Sequence, residues 1–296
     1  MTLTLTQLVD DTLNRVLLGT YRQHANLLDL PLSDTATSAT LKYGLTGLGE
    51  GSYIEVEQEM MYVPPGGVNV GAKQLTLIRG IRGTVPAAHA AGLPVYINPR
   101  FPRNSILEAM RSEALSWPNA MFHVDIADAS VNGNSDIDVS ALFGLPVTRV
   151  IKVWRLKQGA DAARWIRMRG WRFERDIDGI DQSKLYLPIN TTAALRIMVA
   201  TPFNDLDVIW TESMTMDGLG MTDGMGEVLM YGAAWRLVTG REARRLFTEV
   251  ESESRNAQEV PALASVQLGK QLKAVRDARL GEEITRLRYA YGVRGI

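Results

Sequence analysis

The sequence predicts an α+β chain: a helical bundle, made of an N-terminal helix, a middle helix and two long C-terminal helices, carrying two antiparallel β insertions. Three observations predict it. Apolar and polar residues alternate with period two in blocks near residues 40–100 and 121–210. The spacing changes to three and four over residues 223–291. Clusters of Gly, Pro, Ser and Asp separate the blocks. At 296 residues the chain is long for one core and suits several modules. The expected organisation is an N-terminal bundle helix in 1–35, a small β-barrel or sheet in 36–100, a middle helix in 101–118, a β-sandwich in 119–215 and a C-terminal helical pair in 216–296.

Thr6 is placed to cap a helix over about Gln7 to Leu18, with Gly19 as its stop. Residues 33–51 are rich in Ser, Thr and Gly and read as a loop. In "SYIEVEQEMMYVPPGG", Ile54 and Val56 alternate with Glu55 and Glu57, which predicts a strand; "VNVGAKQLTLIRG" and "LPVYINP" supply others. Ser105 and Glu108 form a capping box for a helix over about 105–116, ended by Pro118. "RVIKVWRL", "ARWIRMRGWRFERDI", "KLYLPI" and "ALRIMVATPF" read as strands, with a hairpin turn at Asp178-Gly179. Helices are then expected over 225–252 and 262–291. The first has a stripe of Val228, Tyr231, Trp235, Val238, Leu246 and Val250; the second has Leu268, Leu272, Val275, Ile284, Leu287 and Tyr291, with Pro261 in its first turn.

Composition narrows the function classes. A formal charge of -1 gives no overall attraction to nucleic acid or anionic membrane, so any electrostatic role is local. With no cysteine and three scattered histidines, His24, His89 and His123, disulfides and thiolate or histidine-rich metal sites are not expected. The start lacks a basic n-region and reads as no signal peptide, and no window has the ~18–20 apolar residues of a bilayer crossing. "GLTGLGEGS" lacks the Lys-Ser or Lys-Thr of a phosphate loop. "DIADASVNGNSDID" offers Asp125, Asp128, Asn132, Asn134, Asp136 and Asp138 as oxygen ligands but lacks a calcium loop's central Gly and terminal Glu. An enzyme reading, a glycan hydrolase with acids from Asp125, Asp136 or Glu174, finds no paired carboxylates in the spacing. No enzyme activity, cofactor or metal is expected.

Two segments point to partners. "RVIKVWRLKQGADAARWIRMRGWRFER" sets nine cations against Asp161 and Glu174, with Trp154, Trp165 and Trp171 interleaved. Arg155, Arg164, Arg167, Arg169, Trp171 and Arg172 are therefore a candidate interface or nucleic-acid surface. Gly170 permits a bulge that leaves the arginines' face open. "RLRYAYGVRGI" continues past the expected helix end with aromatic and arginine anchors, a pattern suited to docking.

In "LTLIRGIRGTVPAAHAAG" a strand is expected to end at Arg79, Gly80 and Gly83 to form a tight turn, and "AAHAAG" to make one helical turn filled by His89 and closed by Gly92. Leu75, Thr76, Arg79, Gly80, Gly83, Thr84, His89 and Gly92, with "EMMYV" (Glu59 to Val63) upstream, resemble a segment of tailed-bacteriophage structural proteins; Leu77 and Ile78 depart mildly from it. "MGEVLMYGAAWRLVTGREARRLF" and "LGKQLKAVRDARLGEEITRLRYAY" resemble the helix pair of head-to-tail connector (adaptor) proteins. The resemblance implies a ring, a dodecamer in that family, at the virion neck, assembled in the host bacterial cytoplasm. It implies as partners a portal protein, a stopper or tail-completion protein, and genomic DNA passing through the lumen without sequence-specific binding. Portal docking then falls to Arg286, Arg288, Tyr289, Tyr291, Val293 and Arg294. The alternative from the same particle is a tail-tip or baseplate protein making protein or host-glycan contacts through its β modules.

Overall fold

The computed structural model describes residues 3–17, 25–118, 120–130, 136–144, 146–157, 164–177, 182–188, 193–204, 206–249 and 262–292. The helices are α1 (Leu5–Asp11), α2 (Arg103–Leu115), α3 (Val139–Phe143), α4 (Asp223–Glu249) and α5 (Ala262–Tyr291). The strands are β1 (Ala25–Leu27), β2 (Ser38–Thr40), β3 (Tyr53–Val56), β4 (Glu59–Tyr62), β5 (Val68–Asn69), β6 (Gln74–Thr76), β7 (Pro94–Ile97), β8 (His123–Ser130), β9 (Asp136–Asp138), β10 (Arg149–Lys157), β11 (Arg164–Arg167), β12 (Arg172–Ile177), β13 (Gln182–Tyr186) and β14 (Ala194–Thr201). The chain divides into unit 1 (residues 1–116, 207–216 and 226–279) and unit 2 (117–206, 217–225 and 280–296).

The expected helical bundle with two β insertions is not the fold. Among the described residues fourteen strands in four antiparallel sheets outnumber the five α-helices. The physical reason is that the strands build closed cores of their own. In unit 1 the sheets β1-β7-β3-β4 and β2-β6-β5 bury Ala39, Ile54, Val56, Met61, Leu75, Val95 and Ile97, joined by Leu41, Leu45 and Leu48 from the connections. Each such large aliphatic contributes about 1.5–3 kcal/mol, so this module needs no bundle to carry it. No helix among the described residues is long and apolar enough to cross a membrane.

Helix ends differ from expectation where capping comes from elsewhere. Thr4, not Thr6, caps α1: its Oγ1 accepts from the Gln7 amide at 3.3 Å while its own amide donates to Gln7 Oε1 at 3.0 Å. A π-helical turn follows over Thr12–Leu17. α2 starts at Arg103 after Pro102, with no side-chain cap from Pro102; instead Oε1 of Glu55, on strand β3, accepts from the Arg103 amide at 2.7 Å. The Arg103 guanidinium donates to Asp10 at 2.7 Å and grips Glu212 through Nε and Nη2, tying α1, α2 and segment 207–216 together. On α4 the buried stripe is Val228, Leu229, Met230, Ala233 and Ala234, while Tyr231, Trp235 and Val238 are only half covered. Small residues win because α2 comes close: a side chain at Gly232 would run into Glu113. Pro261, Gly19 and the Asp178-Gly179 turn lie outside the described residues, although the strands flanking that turn, β12 and β13, do pair antiparallel.

Burial pushes the Glu55 carboxyl up to about 8, against the Arg103 amide and charge that lower it and Glu212, which adds to the rise. A raised carboxyl stabilises fully below its unfolded value of 4.5 and loses that contribution as pH climbs through about 8. Unit 1 is therefore expected to melt at a lower temperature at pH 8 than at pH 5. Glu55→Gln, which keeps the acceptor oxygen, should flatten that difference in a calorimetric pH series; an unchanged slope would refute the assignment.

In unit 2, sheets β11-β10-β14-β8 and β12-β13-β9 enclose Val150, Val153, Leu185, Leu195, Ile197 and Val199, with Ile137 and Phe173 packed against them. The run read as one strand, "ARWIRMRGWRFERDI", is two, in different sheets: Gly170, at φ 77, lies in the connection from β11 to β12. α3 is capped by Asp138, whose carboxylate accepts from the Ala141 amide at 3.0 Å, and ends at Gly144.

Candidate functional site

The turn at residues 79–83 closes on a carboxylate. Strands β3 and β4 meet in a two-residue turn in which Glu57 takes a left-handed φ of 51, and Glu59 follows at the start of β4. Glu59 receives Arg79 through Nε and Nη2, both at 2.6 Å, the Gly80 amide at 3.2 Å, the Ala87 amide at 3.1 Å and His89 Nε2 at 2.8 Å. His89 Nδ1 lies 2.7 Å from Glu57, so the ring bridges two carboxylates. The remaining Arg79 donors reach the carbonyls of Ser33, Ala36 and Ala87. Burial alone would raise Glu59, but the hydrogen bonds of Arg79, His89 and Ala87 outweigh it and bring its carboxyl down to about 2. Burial opposes protonation of His89, and its bonds to Glu59 and Glu57 overcome that and raise it above the usual histidine value.

"AAHAAG" forms no helical turn. His89 exchanges backbone hydrogen bonds with Leu32, at 2.7 and 2.8 Å, because Arg79 and Glu59 pull the segment flat against the sheet. The strand before it ends at Thr76, and the helical residues are Ile81–Gly83 instead. Gly80, at φ 63, leaves 2.7 Å between an added Cβ and Pro86. Thr84 accepts from the Met60 amide at 3.1 Å, and the Gly92 amide, at φ 83, donates to Leu28 at 2.7 Å. Arg79, Gly80, Thr84, His89 and Gly92 thus each hold this turn region in place, and Gly83 closes the helical residues. Glu57 and Glu59 are the members sequence reasoning did not assign to it; the readable signal was the "EVEQE" hairpin, whose acids flank the turn. With His89 only 3% exposed and both its nitrogens engaged, this cluster holds shape rather than offering a reactive group.

The proposed docking residues split. Arg286 is tied down by Glu283 at 2.9 Å and Thr222 at 2.5 Å. Tyr291 is half buried, its ring 6.3 Å from Phe122. Arg288 and Tyr289 face solvent, Tyr289 at 84% exposure. Val293 and Arg294 lie outside the described residues. α5 exposes apolar side chains elsewhere too, at Val266, Leu268 and Val275.

The basic surface also splits. Arg164, Arg167, Arg169 and Arg172 are exposed, and Arg155 is half buried. Arg172 pairs with Glu174. Trp171 packs against the unit 2 core, but also lines an open cleft of ≈ 720 Å³ with Arg167, Met168, Arg169, Gly170 and Gly292. Arg167 also lies in a cross-strand row, in which the register aligns Asp128, Arg196, Trp154 and Arg167 across four strands. Arg196 holds Asp128 by two bonds, at 2.7 and 2.8 Å, and covers Trp165 at 4.4 Å. The acids once considered as metal or catalytic groups are dispersed: Asp125 bonds His123 and Thr201, Asp128 bonds Arg196, Asp138 caps α3, and Asp136 lies 3.9 Å from Lys184. Asn132 and Asn134 lie outside the described residues, among which no group of three or more such ligands converges. No protein-family model and no curated protein matches this chain.

Proposed function

We propose that this chain is a structural subunit of a tailed-phage neck, an adaptor that repeats around an axis, joins portal to tail and surrounds the DNA exit channel. The observation that carries the reading is α5. Over a helix of 30 residues, Val266, Leu268, Val275 and Tyr289 stand in solvent, and the buried apolar side chains described are Leu272 and Leu287. A helix within a protein draws most of its stability from a packed face, and apolar side chains left in water along one element mark a surface that a partner covers. Repetition by symmetry turns modest contacts of this kind into a durable joint. The phage-like turn segment, with its scaffold of Arg79, Glu59 and His89, adds the second line of support.

The test is joint formation. Tyr289→Asp combined with Arg288→Glu changes two exposed side chains and is expected to leave the fold intact by circular dichroism while cutting co-sedimentation with portal at least ~10-fold, since loss at each copy multiplies around a ring. Wild-type chain should appear in electron micrographs of filled, tailless heads. Its appearance on isolated tails and not on heads would instead favour the tail-tip reading, and normal portal joining by the double variant would refute the docking role.

A further inference from the structure

Among the described arginines, Arg79, Arg103 and Arg196 each commit Nε and Nη2 to a single carboxylate. Arg149 has the same two nitrogens buried with no hydrogen-bond partner. Its guanidinium lies 4.3 Å over the Phe122 ring, and in place of an acid its charged neighbour is Arg288. Burial first, and then Arg288, hold Arg149 below its usual value, so among the described residues no acid offsets the positive charge here. The excess extends outward. The last turn of α5 brings Gly292 beside Lys152, where an added side chain would sit 4.0 Å from the amine, and Gly292 also lines the cleft holding Arg167, Arg169 and Trp171. Among the described residues no carboxylate lines that cleft.

We infer that this edge of unit 2, formed by Lys152, Arg167, Arg169 and Arg288 with Arg149 behind them, binds the phosphate backbone of a nucleic acid. One carboxylate would neutralise one of these cations; a chain with a charge at every step matches several at once. The half-exposed indole of Trp171 in the same cleft gives a base a face to stack on, which an acidic peptide would not use. The charge arrangement carries this assignment independently of the neck reading, because its test needs neither portal nor virion.

The experiment titrates the full chain into a labelled single-stranded oligodeoxynucleotide, followed by fluorescence anisotropy at several salt concentrations. Binding should weaken steeply with salt, with a slope equivalent to about two to four phosphate contacts. Arg167→Glu with Arg169→Glu should weaken it at least ~10-fold. Lys42→Glu with Lys270→Glu, exposed cations of unit 1 that do not line the cleft, should not, and circular dichroism would confirm that both variants fold. Absent binding at low salt, or equal loss in both double variants, would overturn the proposal. So would displacement of the probe by polyglutamate as readily as by unlabelled oligonucleotide, which would assign the surface to an acidic protein instead.

Discussion

Replacing Glu59 with alanine is expected to destabilise unit 1 by about 3–5 kcal/mol, the range for removing one partner of a buried ion pair. The carboxylate is 2% exposed and accepts from Arg79, His89 and two backbone amides, so its loss strands four donors at once. Against a typical domain margin of about 5–15 kcal/mol, the variant should lose much of its urea resistance. Glu57→Ala is the comparison: that side chain is 52% exposed, and removing its contact with His89 should cost about 1 kcal/mol or less. Equal losses in the two variants would show that Glu59 is not the centre of the cluster. The pH dependence carries a signature as well. Glu59 is depressed, so its contribution is complete above 4.5 and disappears as pH falls toward 2. His89 is raised, so its contribution is complete below 6.5 and is lost as pH rises through its folded value. Both are fully present between 4.5 and 6.5, while the Glu55 contribution already falls from 4.5 upward and is lost by about 8. Wild-type unit 1 should therefore be most stable near pH 5, and Glu59→Ala should remove the acid limb of the curve.

What could be read in the sequence was local. α5 forms over Ala262–Tyr291, the expected 262–291, because its apolar residues recur at helical spacing without an internal breaker. In β14, Leu195, Ile197 and Val199 alternate into a buried face, whereas in β3 Glu55 is buried along with Ile54 and Val56. What could not be read was set by residues far apart in the chain. Glu55 supplies the first acceptor of α2 from 48 residues away, so the Ser105–Glu108 capping box was a false start signal. His89 looked isolated because its carboxylates lie 30 and 32 residues upstream and meet it only across the sheet. The fold class failed for a related reason. Helical periodicity is easy to see over 27 and 30 residues, whereas strands of two to four residues show too few repeats to reveal that they enclose most of the core. The same limit applied to the arginine-rich run, whose faces are decided by Gly170 and by the register against β14.

Glu113→Ala should cost a similar ~3–5 kcal/mol, but with a different spatial pattern. Glu113 has no solvent exposure and receives Arg236 from α4 at 2.9 Å and Arg276 from α5 at 2.6 Å. It is the polar member of a face where α2 lies against Gly232, so the glycine and the acid belong to one arrangement: the space that a β-carbon would fill is the space the carboxylate needs. Removing it leaves Arg276 leaning on its neighbour Asp277 at 2.8 Å and leaves Arg236 with Ser116. Within residues 266–279 of α5 the buried apolar side chain is Leu272, so this ion pair carries an unusual share of what holds that stretch. Hydrogen exchange should consequently accelerate first in amides 270–279, while Ile54, Met61 and Val95 in the β core retain protection. Uniform acceleration across unit 1 would mean that α5 and the sheets unfold as one cooperative body, and that Glu113 stabilises the whole rather than docking a helix. If exchange behaves as expected, the stretch of α5 that exposes Val266, Leu268 and Val275 is held mainly by charge through Glu113 and not by an apolar face.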